Sequence, residues 1–310
     1  MCTEIDEIKK AINDNMNTYD QENISSKNED IFLQIKKDFL KEHPGNEQKF
    51  IEYTESPELC IALIEKVRNK DNINEIIFPI SSNISFLKEF SEEKDINDEL
   101  ANFTIRHYTN HNPQKFNGKV KSNLTLTAET GVPLTRTTGH TTGLDWNQFG
   151  NVGDTFYSLF YKGELASKAK TPAFINDAHF YIEWTLDEFG ECWASGDWLD
   201  YIINKPKEPA TLPHPPLSYS GSAREIVLAS MISENDLALK FLDKPNSKTD
   251  EELKKQIKNI LENGVPKTID KEDSPQPHLK MASNFEVKKH GSMEFNSYYA
   301  KDDSGIWHQL

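Results

Sequence analysis

Hydrophobic positions change their spacing about a third of the way along the chain. From residue 30 to about 100 they recur with a helical period, and Ile31, Phe32, Ile35, Phe39 and Leu40 fall on one face. A second helix opens at Ser56-Pro57, with serine as cap and proline in the first turn, and carries Leu59, Ala62, Leu63 and Val67. After about residue 102 alternation and short apolar runs take over, predicting strands over 103–109, 155–161, 178–185, 191–198, 224–231 and 278–287. Asp187-Glu188-Phe189-Gly190 reads as a hairpin turn between two of them. Residues 204–217 hold five prolines and predict an extended connector. Two helices follow, because Ser233 with Asp236 and Thr249 with Glu252 have capping-box spacing and Gly264 supplies a stop.

This pattern divides the chain into a polar, mobile N-terminus over 1–30, a helical lobe over 31–100 and a domain over 101–310. The fold class is α+β, with a split sheet of mostly antiparallel strands. No repeat of solenoid period is visible. Hydrophobic residues make up 36% and aromatics 10% of the 310 residues, enough to build a packed core. The formal net charge of −15 argues against nucleic acid or anionic lipid as the main partner. Cys2, Cys60 and Cys192 are too few and too scattered for a disulfide framework or a zinc site. No stretch reaches the length of a membrane span, and the acidic N-terminus lacks the apolar core of a signal peptide. The expected setting is a reducing cytoplasm. A needle-type secretion signal, being only a polar N-terminus, is compatible with export into a host cell.

The segment richest in chemistry is Ile105-Arg106-His107-Tyr108-Thr109-Asn110. A dinucleotide carries a pyrophosphate and two diols, which call for cationic and hydrogen-bonding side chains. Alternation along the strand puts Arg106 and His107 on opposite faces. His107 is the preferred ligand contact, with Arg106 in phosphate or structural pairing. Phe156, Tyr157, Trp184 and Trp198 are candidates to stack on a base, although alternate aromatics in strands usually belong to the core.

The order of short motifs resembles the ADP-ribosyltransferase part of OspC-type bacterial effectors, the arginine ADP-riboxanases. The matching segments run over roughly 100–290. They are the Arg-His-x-Thr-Asn strand; Asp154-Thr155-Phe156-Tyr157-Ser158-Leu159-Phe160; Phe180-Tyr181-Ile182-Glu183; Gly196-Asp197-Trp198-Leu199-Asp200; and Gly221-Ser222-Ala223-Arg224. The resemblance implies NAD as co-substrate, gripped by Arg106, His107, Thr109, Asn110, Phe156 and Ser222. It implies transfer of ADP-ribose to a host protein side chain, with arginine as acceptor and Asp197 assisting a later loss of ammonia. The family's catalytic Glu-Tyr-His maps best onto Gln276-Pro277-His278, so His278 fits and Gln276 stands where a carboxylate belongs. Cleaving the nicotinamide bond creates an oxocarbenium-like ribose that a carboxylate stabilises. Three readings stay open: Glu272 or Asp273 swings in, Asp197 supplies the charge, or the protein binds NAD as a weak pseudoenzyme. The family's effectors are activated by calmodulin, a candidate partner here through the N-terminal helices, though no strongly basic amphipathic helix advertises it. Their ankyrin repeats are not seen in this sequence.

A rival motif, Gly190-Glu191-Cys192-Trp193-Ala194-Ser195, has the look of a thiol-protease nucleophile, but its cysteine enters a strand instead of opening a helix. Gly139-His140-Thr141-Thr142-Gly143 suits a lid or connector and lacks the Lys-Ser/Thr of a phosphate loop. His179 has no spaced partner, and no metal site is assigned.

Overall fold

The computed structural model describes residues 33, 36–55, 80–81, 84–130, 153–166, 175, 177–196, 218–241, 243–265, 280–282 and 285–310. The Ser56-Pro57 helix, the glycine-threonine segment at 139–143 and the proline-rich connector lie outside these residues.

The fold is mixed α+β around a mostly antiparallel sheet. Its principal strands are β2 (Phe103–Thr109), β4 (Asp154–Tyr161), β6 (Phe180–Thr185), β7 (Glu191–Gly196), β8 (Ser218–Ser222) and β9 (Phe285–His290). Short strands complete it: β1 (Ile80–Ser81) and β5 (Glu164–Leu165), then β11 (Tyr299–Lys301) and β12 (Trp307–Gln309). The spatial order is β1-β8-β7-β9-β4-β2-β6-β11-β12, with β5 beside β4. Only β1 with β8 runs parallel, so the segment read as purely helical also lends two residues to the sheet. A separate pair joins β3 (Lys119–Val120) to β10 (Met293–Glu294).

The strand β4 changes partner midway. Residues 154–157 pair with β9, and residues 158–161 pair with β2. Beyond Arg106, β2 continues against β6 alone as far as Thr109. The sheet is therefore split between β2 and β4 at His107.

Period-two alternation gives the two faces different characters. One face presents Phe103, Ile105, Tyr157, Leu159, Ile182, Trp184, Ala194, Tyr219 and Val287 to the core. That core also takes Phe86, Leu87 and Phe90 of α2 (Phe86–Glu92), following α1 (Glu47–Thr54), and Ile96 and Leu100 of α3 (Lys94–Leu100). The next helices are α4 (Asn123–Thr130) and the single turn α5 (Leu186–Phe189). They are followed by α6 (Ala223–Ser230), α7 (Glu234–Phe241) and α8 (Asp250–Asn263). Ile226, Val227 and Leu228 of α6 are fully buried, each worth about 1.5–3 kcal/mol of apolar transfer. The opposite face carries Arg106, Tyr108, Phe156, Ser158, Phe160, Tyr181, Glu183, Trp193, Glu286 and Lys288.

Three local expectations are corrected. Residues 224–231 form α6, not a strand, because Ser222 caps a helix: its hydroxyl accepts from Glu225 N, and the Glu225 carboxylate reaches back to the cap. Residues 186–190 do not close a hairpin. Thr185 and Glu188 form a capping box around α5, Gly190 takes a positive φ of 68° to leave it, and β6 and β7 go to different partners. The strand expected over 278–287 runs over Phe285–His290. The capping box at Thr249–Glu252 and the stop at Gly264 are as read.

Candidate functional site

Arg106 is the anchor of the polar face. Its Nε lies 2.5 Å from Glu183 Oε2, Nη1 donates to Tyr108 Oη at 3.3 Å, and its guanidinium carbon sits 4.2 Å from the Phe160 ring and 4.4 Å from that of Tyr181. Burial opposes the charge, but Tyr108 and Glu183 outweigh it and hold the guanidinium above its usual pKa. Around it Tyr181 stacks on Tyr299 at 4.4 Å, with Trp307 edge-on at 4.8 Å.

His107 looks the other way, toward the helix-packed side, at the point where β2 and β4 part. Its Nδ1 lies 3.0 Å from the carbonyl oxygen of Phe156. A carbonyl only accepts, so Nδ1 carries the proton and a neutral ring keeps Nε2 as an acceptor. Burial pulls the imidazole below the ordinary histidine pKa, against a smaller upward pull from that carbonyl. Thr109 accepts from His111 N, and Asn110 accepts from His179 N, so both organise the end of β2. Phe156 is half-buried on the polar face, whereas Tyr157 and Trp184 pack in the core. Ser222 spends its hydroxyl on the α6 cap. Asp197, Glu272, Gln276 and His278 lie outside the described residues.

The strand β9 carries a further carboxylate on the polar face, Glu286. The β4–β9 ladder ends at Tyr157 with Val287; Glu286 is the next residue of β9, paired there with Ser195 of β7, and alternation turns it to the polar face that also carries Arg106 and Ser158. Arg106, Ser158 and Glu286 thus share one face of the sheet around the place where β4 leaves β9 and joins β2. Lys288, two residues on, shares the face; its Nζ is 3.3 Å from Glu286 Oε2 and lies over the rings of Trp193 at 4.7 Å and Phe156 at 5.4 Å. Farther along, His290 Nδ1 meets Asp154 Oδ1 at 2.6 Å, and Trp193 Nε1 donates to the same oxygen at 3.3 Å. Asp154 Oδ2 has no hydrogen-bond partner among the described residues. Burial raises the Asp154 carboxyl above the usual carboxylate range, while His290 and then Lys288 pull it back. The signal that marked Glu286 was the alternation Glu286-Val287-Lys288-Lys289-His290, with polar residues at every second position of a strand whose other face is apolar at Val287.

Cys192 lies on the core face, and burial pushes its thiol up to about 12, which leaves no thiolate nucleophile at neutral pH. Among the described residues no group of three or more His, Cys, Asp or Glu side chains could hold a metal, and no helix is long and apolar enough to cross a membrane. In comparison with known proteins, no family model, no curated protein and no solved structure matches this chain.

Proposed function

We propose that this protein is an NAD-consuming ADP-ribosyltransferase acting on a host protein side chain, with arginine as acceptor, in the manner of the riboxanase effectors its motifs resemble. The observation carrying the reading is that Arg106, Ser158 and Glu286 share the polar face beside the split in the sheet. Glu286 takes the part of the missing carboxylate: it faces the ribose as the bond from C1′ to the nicotinamide nitrogen breaks and the electron pair leaves on nicotinamide. The acceptor nitrogen forms the new bond to C1′ and gives up a proton. Arg106 is the cation of this face proposed to meet a diphosphate, and Phe156, half-buried on the same face, is the ring proposed to stack. His107 looks to the opposite face from Glu286 and, through its bond to the Phe156 carbonyl, supports the fork instead of meeting the same ribose. The working place of such an enzyme is the host cytoplasm, after synthesis in the bacterial cytoplasm. Calmodulin stays a candidate activator.

A second reading, a binding protein that has lost turnover, is favoured by the way the charges of this face already pair with one another, Arg106 with Glu183 and Lys288 with Glu286. Nicotinamide release from NAD, with and without host-cell lysate and calmodulin, decides between them. Release abolished by Glu286→Gln supports the transferase. NAD binding by calorimetry without release supports the binding protein. Release insensitive to Glu286→Gln overturns the placement of the carboxylate.

A further inference from the structure

A lysine is seldom fully buried unless something pairs with it, because its ammonium must be taken out of water. Lys288 is 2% exposed, the most deeply buried lysine or arginine of the described sheet. It stands two residues from Glu286 on the same side of β9, so the strand's own pleat brings the two together at 3.3 Å. The rings of Trp193 on β7 and Phe156 on β4 flank the ammonium and hold its stem. Glu286, in contrast, keeps 41% of its side chain exposed. A buried cation thus holds an accessible carboxylate from behind.

We propose that Lys288 is a positioning residue for Glu286: it fixes the carboxylate's orientation on the polar face and keeps it ionised, without itself touching NAD. This rests on the transferase reading for its catalytic consequence, but the pairing can be tested without it. The other charged groups on this face are His290 on β9, Asp154 on β4, Glu191 on β7, Arg106 on β2, Glu183 on β6 and Lys301 on β11. Of these, Asp154 already feels Lys288, whose charge pulls its carboxyl down. Removing the ammonium removes the nearest cation in this set from Glu286, so the Glu286 pKa rises. An ionised Glu286 is needed for turnover, so activity is lost as pH falls through that pKa. In Lys288→Met the acid limb therefore moves to higher pH.

The experiment uses the full chain, with wild type, Lys288→Met, Lys288→Arg and, as a control for assignment, Glu286→Gln. Carboxyl-carbon NMR follows the Glu286 titration, and nicotinamide release is measured against pH and NAD concentration. The expected result is a Glu286 pKa higher by about one unit in Lys288→Met, a tenfold change in ionisation at a given pH below it. Alongside it, kcat falls roughly tenfold or more with KM for NAD unchanged, and Lys288→Arg restores most of the loss. Where Lys288→Met melts below the assay temperature, Lys288→Gln repeats the measurement with a side chain that still hydrogen-bonds. An unchanged Glu286 titration overturns the proposal, as does a raised KM at constant kcat, which would make Lys288 an NAD ligand. A shifted titration with no nicotinamide release in wild type supports the pairing and overturns the transferase reading.

Discussion

Arg106 Nε and Glu183 Oε2 meet at 2.5 Å across the β2–β6 ladder, at positions the register places directly opposite each other. Their side chains are only 13% and 21% exposed, so removing one partner leaves the other poorly solvated. Glu183→Ala is expected to cost about 2–3 kcal/mol in urea unfolding, somewhat below the cost of breaking a fully buried pair. Arg106→Met with Glu183→Met is expected to recover part of that loss, and the double-mutant cycle gives the coupling. A cycle showing no coupling would remove Arg106 from its structural role and leave the phosphate role alone.

His107 gives the protein a pH-dependent stability. Burial holds its folded pKa below the unfolded value of about 6.5, so below that pH the unfolded chain binds the extra proton. Stability is fully present above the unfolded pKa and declines as pH falls from there toward the lower folded value. Denaturation at pH 7.5 and 5.5 should therefore show wild type losing more than His107→Gln over the same interval. Equal losses in the two proteins would mean that His107 titrates normally.

Cys192 should resist alkylation. With its thiol raised to about 12 by burial, iodoacetamide at pH 7.5 is expected to leave Cys192 unlabelled in the folded protein and to label it in 8 M urea, a standard denaturing concentration of about that order. Peptide mass mapping separates it from Cys2 and Cys60. Rapid labelling in the native state would revive the thiol-protease motif.

Thr185 ends β6 and caps the turn that carries the chain across to β7. Its side chain accepts from Glu188 N, and Glu188 answers to the Thr185 backbone. Thr185→Ala is expected to cost about 1 kcal/mol, and Thr185→Ser much less. The melting temperatures of the two variants test the cap, and equal values would show that it contributes nothing.

The strands with clean alternation were legible: β2, β4, β6 and β7 lie where periodicity put them, within a few residues. The helix α6 was not, because an apolar run such as Ile226-Val227-Leu228-Ala229 fits a buried helix and a buried strand equally well. The deciding signal was Ser222 three residues ahead of Glu225, the same spacing that located α8 through Thr249 and Glu252. The separation of β6 from β7 was invisible, since a four-residue turn says where the chain reverses or crosses but nothing about which strands pair. At the candidate site, Arg106 and Phe156 were named from the strand motifs, and the structure puts both on the polar face. Glu286, the carboxylate proposed here, was not singled out in the sequence, because the motif match points to the loop before the last long strand and only the β9 register shows which of its residues face Arg106's side.

The mid-strand exchange of neighbours makes β4 a ruler that both halves of the sheet read. Tyr157 is counted from β9 and Ser158 from β2. Losing or gaining one residue at that junction would turn every side chain on one half over to the wrong surface, exposing Val287 or burying Arg106, whichever half yields. The distance along β4 from Asp154 to Tyr161 is thus held fixed by two ladders at once.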